Sequence, residues 1–315
     1  MLRIDAVEYH AAGEPFRILS DGFGAVPGAT MLEKRRYAAE HLDHFRRLVV
    51  NEPRGHADMY GCFVTEPVTD GALFGALFFH NAGYSTACGH GTIALGAWAV
   101  ATGRLDGPSL LIDVPSGPVT ARVGDTIAFG NVASWVAVRG LRVGTARGVV
   151  DVDVAYGGAF YASASAAALG LAVEPANVTD FIALGREIKR AVEAQVELVH
   201  PELTDIRDVY GVTFFEPVGE RLQRNVTVFA DGEVDRSPCG SGTSARLALL
   251  EADGVVGPGR PLRHLSIIGT EFFGHVTGRT HAGLLTEIEG TAHPVARHEF
   301  FLEDGDPLGT GFLLR

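Results

Sequence analysis

Two pentapeptides, Cys88-Gly89-His90-Gly91-Thr92 and Cys239-Gly240-Ser241-Gly242-Thr243, share the pattern C-G-x-G-T and lie 151 residues apart in a chain of 315. Each opens an apolar segment, and the segments end alike. Gly103 and Gly254 each follow their cysteine by 15 residues, and Gly107-Pro108 and Gly257-Pro258 come next. A glycine past the last helical residue with a proline soon after is an ordinary stop signal. One half alone would mean little; the agreement of both predicts a duplicated chain. Coincidence in a chain with 40 glycines is the competing explanation.

The neighbouring segments follow the same order twice. In the first half, Leu2 to His10 alternates as a strand, Gly13-Glu14-Pro15 reads as a turn, and Pro27 to Val49 reads as an amphipathic helix. Strands are expected at Gly61 to Glu66 and Leu73 to His80, then the glycine-rich stretch Asn81 to Gly91 and an apolar helix from Thr92 to Thr102. In the second half, a helix over Thr179 to Leu198 precedes strands at Gly211 to Pro217 and Asn225 to Ala230, then a glycine-opened helix over Cys239 to Ala252. Two strand-like segments close the chain, Glu299 to Leu302 and Gly311 to Leu314. The halves are expected at residues 1–123 and 124–294, with 295–315 returning to the first.

Composition narrows the function. A formal charge of −12, with no basic run longer than Lys34-Arg35-Arg36, lacks the footprint of a nucleic-acid binder. No apolar run approaches a membrane span, and Met1 to Asp5 lacks the apolar core of a signal peptide, so the cytoplasm is the expected location. Three cysteines form neither a disulfide framework nor a C-x-x-C pair. Cys62, within an apolar strand, reads as a small buried hydrophobe. His56, His80 and His90 fit no standard metal spacing, and no metal is expected. The motif glycines lack the third glycine of a dinucleotide fingerprint.

The two motifs themselves point to acid–base chemistry. A glycine-rich helix start presents N–H groups that the helix does not satisfy, together with the positive end of its dipole. Two facing starts could hold one carboxylate between Gly89-His90 and Gly240-Ser241 and expose the adjacent carbon to both cysteines. A cysteine at such a position is expected to have a lowered pKa. Two close thiols share one proton, which makes one a base and the other an acid. Such a pair moves a proton from one face of a stereocentre to the other and needs no cofactor.

At these residues the chain resembles the proline racemase family, which includes proline racemases, 4-hydroxyproline 2-epimerases and trans-3-hydroxy-L-proline dehydratases. The likeness is carried by Glu52-Pro53-Arg54-Gly55-His56, Gly83 to Gly91, Tyr156-Gly157-Gly158 and Asp235 to Gly242. The resemblance implies an α+β fold of two pseudo-symmetric α/β halves, each a curled sheet around a central helix, as in diaminopimelate epimerase, with the active site between them. It implies that Cys88 and Cys239 are the two catalytic bases. It places Asp235 and His90 near the ring nitrogen of an imino acid, with the N–H groups of Gly89, His90, Gly240 and Ser241 on its carboxylate. The alternative for Asp235 is a helix cap.

Departures from the family pattern bear on the substrate. Ala87 stands where methionine is usual. Tyr60 replaces a phenylalanine that lines the ring pocket, while Phe229 keeps the second such aromatic. A tyrosine hydroxyl seeks a partner when buried, which suggests a hydroxyl on the substrate ring. Much of the dehydratase branch has threonine at the second cysteine; this chain keeps Cys239, although the segments around Tyr60 and Phe229 resemble that branch. The expected function is therefore hydroxyproline 2-epimerisation, with trans-3-hydroxy-L-proline dehydration and then proline racemisation as alternatives. A non-catalytic imino-acid binding protein is the alternative of a different class. A homodimer is compatible with a chain of this size.

Overall fold

The computed structural model describes residues 1–314. The chain divides into two compact units, residues 1–127 together with the segment from Thr291 onward, and residues 128–290. These divisions lie a few residues from the boundaries expected at 123/124 and 294/295.

In the first unit, β1 (Leu2–Ala11) turns into β2 (Glu14–Leu19), and a helical crossover leads to β3 (Tyr60–Thr65). The crossover consists of α1 (Met31–Tyr37), a π-helical turn at Ala38–Leu42, and α2 (Asp43–Val50). After β4 (Phe74–His80) and the short β5 (Gly83–Tyr84), α3 (Gly89–Ala101) carries the chain to β6 (Ser109–Val114) and β7 (Gly117–Val123).

The second unit begins with β8 (Ile127–Gly130), β9 (Trp135–Thr145), β10 (Gly148–Tyr156) and β11 (Phe160–Ser165). Helix α4 (Val178–Glu193) crosses to β12 (Val209–Gly219), β13 (Leu222–Phe229) and β14 (Glu233–Asp235). Helix α5 (Gly240–Ala252) then leads to β15 (Leu262–Leu265), β16 (Glu271–Thr280) and β17 (Gly283–Gly290). The chain returns to the first unit with β18 (Ala292–Leu302), which pairs antiparallel with β1 along its whole length.

The duplication is visible in the pairings. In the first unit the strands run β18-β1-β2-β3-β4-β6-β7, with β2–β3 and β4–β6 parallel and the remaining neighbours antiparallel. In the second they run β9-β10-β11-β12-β13-β15-β16, with β11–β12 and β13–β15 parallel and the rest antiparallel. Each parallel step is spanned by a helix, as a parallel crossover requires. Each sheet curls so that strands from both of its ends touch one helix. Helix α3 meets β1, β2 and β18 on one side and β7 on the other, and α5 meets β9, β10 and β11 as well as β16 and β17. That wrapping explains why α3 and α5 are small, apolar and buried nearly all round.

Several expectations are corrected. The segment after Gly13 is a strand, not the approach to a helix. Pro15 is accommodated because β3 joins β2 only from Arg17 onward, so no neighbour on that side needs the missing N–H. The helix expected from Pro27 starts at Met31, where the Thr30 hydroxyl accepts the Glu33 N–H at 3.1 Å. Gly311 to Leu314 contributes only a bridge between Phe312 and Glu52. That end is pinned by Arg54 from the Glu52 to His56 motif, whose guanidinium donates to the carbonyls of Phe301 and Gly309 and to Asp306. Among the described residues no helix is long and apolar enough to cross a membrane.

A buried polar cluster links β13, β15 and α5. Asn225 Nδ2 donates to the Pro238 carbonyl (2.8 Å) and to His264 Nε2 (2.8 Å), so Nε2 carries no proton. His264 Nδ1–H then donates to Thr243 Oγ1 (2.8 Å), whose hydroxyl donates to the same Pro238 carbonyl (3.1 Å). Burial, with the Arg246 charge adding to it, lowers the His264 pKa to about 3. Between that value and the ordinary value of 6.5 the unfolded chain binds a proton here that the folded chain does not. Stability is therefore complete above pH 6.5 and declines as pH falls toward 3. The steepest slope one such group can impose is about 1.4 kcal/mol per pH unit. His264→Gln should flatten the loss of denaturant stability measured between neutral pH and about pH 5; an unchanged slope would contradict this assignment.

Candidate active site

In the first unit, α3 starts at Cys88, which sits in extended backbone (φ −155°) as the helix N-cap. Its sulfur accepts the Gly91 N–H at 3.2 Å, the position usually filled by a serine, threonine or aspartate oxygen. Gly91 is glycine for a steric reason. A Cβ there would lie 2.7 Å from Cys88 Sγ and 2.5 Å from the Phe16 ring. The His90 ring nitrogens lie 3.5 and 3.6 Å from the same sulfur, and the ring meets Tyr60 and Phe16 edge-on at 4.9 and 5.7 Å. Burial lowers the His90 pKa to about 3, so the imidazole beside Cys88 is neutral.

Tyr60, on β3, lies in this cluster, but its hydroxyl is 2.5 Å from Ser85 Oγ, which in turn donates to the Ala87 carbonyl at 3.3 Å. The hydroxyl expected to seek a partner on the substrate thus also has one in the chain. Ser85, four residues after Asn81 in the glycine-rich stretch, meets that need within the chain.

The second unit builds its cysteine differently. Asp235 ends β14, and its Oδ1 accepts both the N–H (2.8 Å) and the hydroxyl (2.7 Å) of Ser237. Ser237 Oγ in turn accepts the Cys239 N–H at 3.1 Å. Asp235 therefore shapes the turn before α5 and does not cap the helix directly. This turn holds Cys239 at φ 64°, a left-handed conformation uncommon for a residue with a Cβ. The Asn225–His264–Thr243 cluster fixes the carbonyl of the preceding Pro238. Again the second glycine leaves room for sulfur, since a Cβ at Gly242 would lie 2.9 Å from Cys239 Sγ. Gly157, in the Tyr156-Gly157-Gly158 motif, allows the β10–β11 turn to close on the Ser241 carbonyl at the start of α5.

Cys88 and Cys239 are 4% and 6% exposed. The helix position alone predicts lowered thiol pKa values, and at Cys239 that expectation fails. Burial pushes its thiol up and the Asp235 carboxylate pushes it further, against the Gly242 N–H and the Tyr161 hydroxyl, which favour the thiolate. Burial also raises the Asp235 carboxyl, which Ser237 opposes by hydrogen bonding. The Cys239 thiol thus keeps its proton in a place where an added charge would redistribute it.

The remaining expected residues fall into place around these centres. Gly89 and His90 begin α3, and Gly240 and Ser241 begin α5, so their N–H groups belong to the first turns. Phe229 stacks on Tyr210 at 5.7 Å, and Tyr210 meets Tyr161 edge-on at 5.8 Å. Cys62 is fully buried in β3, where burial raises its thiol pKa. His56 lies on an exposed loop, and His80 Nδ1 accepts the Ala82 N–H. Among the described residues no group of three histidine, cysteine or acidic side chains is placed to hold a metal. Sequence reasoning missed Ser85, Ser237 and Tyr161. Ser85 and Ser237 carried a signal, lying in the segments Gly83 to Gly91 and Asp235 to Gly242 already singled out, whereas Tyr161 carried none.

The family profile for proline racemase matches residues 6–313. The chain is 41% identical over 329 aligned positions to a trans-3-hydroxy-L-proline dehydratase of Burkholderia ambifaria, covering 99% of this chain and 98% of that protein. It has the same identity and coverage against a 3-hydroxyproline 2-epimerase of Burkholderia multivorans. The crystal structure of a hydroxyproline epimerase from Agrobacterium vitis with bound trans-4-hydroxy-L-proline superposes with a TM-score of 0.92 at 27% identity, over 100% of this chain and 95% of that one. Profile, sequence and fold agree along nearly the whole length: the chain belongs to the proline racemase family.

Proposed function

We propose that the protein epimerises a hydroxyproline at C2, with Cys88 and Cys239 as the two acid–base groups. The observation that carries this reading is the matched placement of the thiols. Each is the N-cap of a buried, glycine-opened helix, and in each the second glycine of the motif leaves the room that the sulfur occupies. A cysteine retained only as a small hydrophobe has no use for the same N-cap position in both units.

In the reaction, one thiolate removes the Cα proton, and the bonding pair moves toward the substrate carboxylate. The other thiol delivers its own proton to the opposite face, and the roles exchange with the handedness of the substrate. The first-turn N–H groups of Gly89, His90, Gly240 and Ser241 are suited to the carboxylate, where negative charge grows as the proton leaves. Asp235 suits the cationic ring amine, whose charge would favour ionisation of its raised carboxyl. Neutral His90 is suited to act as a hydrogen-bonding group and adds no positive charge. Tyr60 and Phe229 are read as walls for the ring. Relatives at 41% identity that are named for 3-hydroxyproline make trans-3-hydroxy-L-proline the first substrate to offer.

A second reading is dehydration of that compound. It starts with the same proton removal, after which the 3-hydroxyl leaves with its bonding electrons and the cyclic enamine relaxes to an imine. The Burkholderia ambifaria relative favours it, whereas Cys239, an acid ready to reprotonate Cα, favours epimerisation.

Cys88→Ser and Cys239→Ser should each lower epimer formation, followed by chiral chromatography, by about a hundredfold or more. Near-native epimerisation in either variant would sink the two-thiol reading, and an imine captured by a carbonyl-trapping reagent without epimer would establish the second. Gly242→Ala, whose methyl must displace the Cys239 sulfur, should reduce kcat by about tenfold to a hundredfold while the fold is retained. Unimpaired turnover in that variant would show that the sulfur position is not limiting.

A further inference from the structure

The repeated motif differs between the units at its middle position, which is His90 in one and Ser241 in the other. The difference matters to the neighbouring sulfur. The His90 ring reaches back to its own cysteine at 3.5 Å, and Phe16 from β2, which has no hydroxyl, packs behind it. Ser241 is too short to take the corresponding place. There the strand that corresponds to β2 in the repeat, β11, supplies Tyr161. Its hydroxyl lies 2.7 Å from Ser241 Oγ, and the side chain packs with Cys239, whose thiolate the hydroxyl favours. The pair histidine–phenylalanine in one unit is thus replaced by serine–tyrosine in the other.

We infer that Tyr161 is a positioning residue for the second thiol: its hydroxyl, shared between Ser241 Oγ and the Cys239 sulfur, orients that sulfur and stabilises its anion. The inference rests on the reading of Cys239 as an acid–base group. The surroundings support it. Tyr161 is 1% exposed and packs with Cys239, Ala155, Ala159, Ala245 and Leu249 in one cluster, so its ring has little freedom. Cys239 itself is held at φ 64° by Ser237, which limits where the sulfur can point.

The titratable groups facing the sulfur are Asp235 from β14 and Tyr161 from β11, with Tyr210 from β12 behind Tyr161. They give the two protonation states different partners. The Asp235 carboxylate favours the thiol of Cys239, whereas the Tyr161 hydroxyl and the Gly242 N–H favour its thiolate. With Ser241 donating to Tyr161 and Tyr161 to sulfur, the three form a chain of hydrogen bonds in which each strengthens the next. Cys88 has no counterpart of this chain in Phe16, so the two thiols are tuned by different groups.

The test is Tyr161→Phe, which removes one hydroxyl and keeps the ring. Alkylation of each cysteine by iodoacetamide at fixed pH, resolved by peptide mass spectrometry, should slow at Cys239 by about threefold to tenfold, because loss of thiolate is partly offset by higher intrinsic nucleophilicity. The Cys88 rate should not change. In turnover of the hydroxyproline substrate, kcat should fall by about tenfold to a hundredfold, with KM within about threefold of the native value. Equal Cys239 alkylation rates in the native and variant proteins would overturn the inference, as would a change shared by both cysteines. If the native protein epimerised no hydroxyproline, the functional reading would fall, and the alkylation comparison would still decide the role of Tyr161.

Discussion

The constraint on which the structure depends is the start of a helix buried inside a curled sheet. An α-helix leaves its first N–H groups without internal partners, and burying them away from water is costly unless something accepts them. In α3 the Cys88 sulfur takes the Gly91 N–H, and in α5 the Gly242 N–H favours the Cys239 thiolate. The glycines follow from the same requirement, because any side chain at residue 91 or 242 would occupy the space of that sulfur. The sheets follow as well. A helix that is apolar on every side needs cover on every side, and strands from both ends of one curled sheet provide it.

Function uses what this packing already demands. N–H groups that satisfy a sulfur also favour its anionic form, and the first-turn donors beside it suit a carboxylate. Burial works in the opposite direction, raising the Cys239 thiol and the Asp235 carboxyl and keeping His90 neutral. A zwitterionic substrate would perturb these groups through its own charges. Activation by the substrate's carboxylate and ammonium is a natural consequence of such a site.

Much of this was legible in the sequence where the signal is local. The C-G-x-G-T repeat, the glycine–proline stops and the spacing of 151 residues marked both central helices and the duplication, since helix starts and stops are set by residues within a few positions. What escaped depends on distant partners. Pro15 concealed β2, because only the late arrival of β3 makes a proline acceptable there. The alternation Val150-Asp151-Val152-Asp153-Val154 in β10, by contrast, is a local signal that went unread. The hydroxyl of Tyr60 finds a partner in Ser85, 25 residues on, which only the pairing of the strands brings beside it. Tyr161 lies 80 residues before Ser241 and carries no motif, so only the fold brings it to the second thiol.

The central claim is that two different thiols handle the two faces of one carbon, and proton NMR in D2O tests it most directly. With trans-3-hydroxy-L-proline as substrate, a two-base enzyme forms an epimer whose Cα hydrogen comes from the second thiol, already exchanged with solvent. The account predicts deuterium at Cα of the epimer from the earliest time points, while the remaining substrate keeps its original proton. Equal labelling of substrate and epimer, or conversion to an imine with no epimer formed, would contradict it.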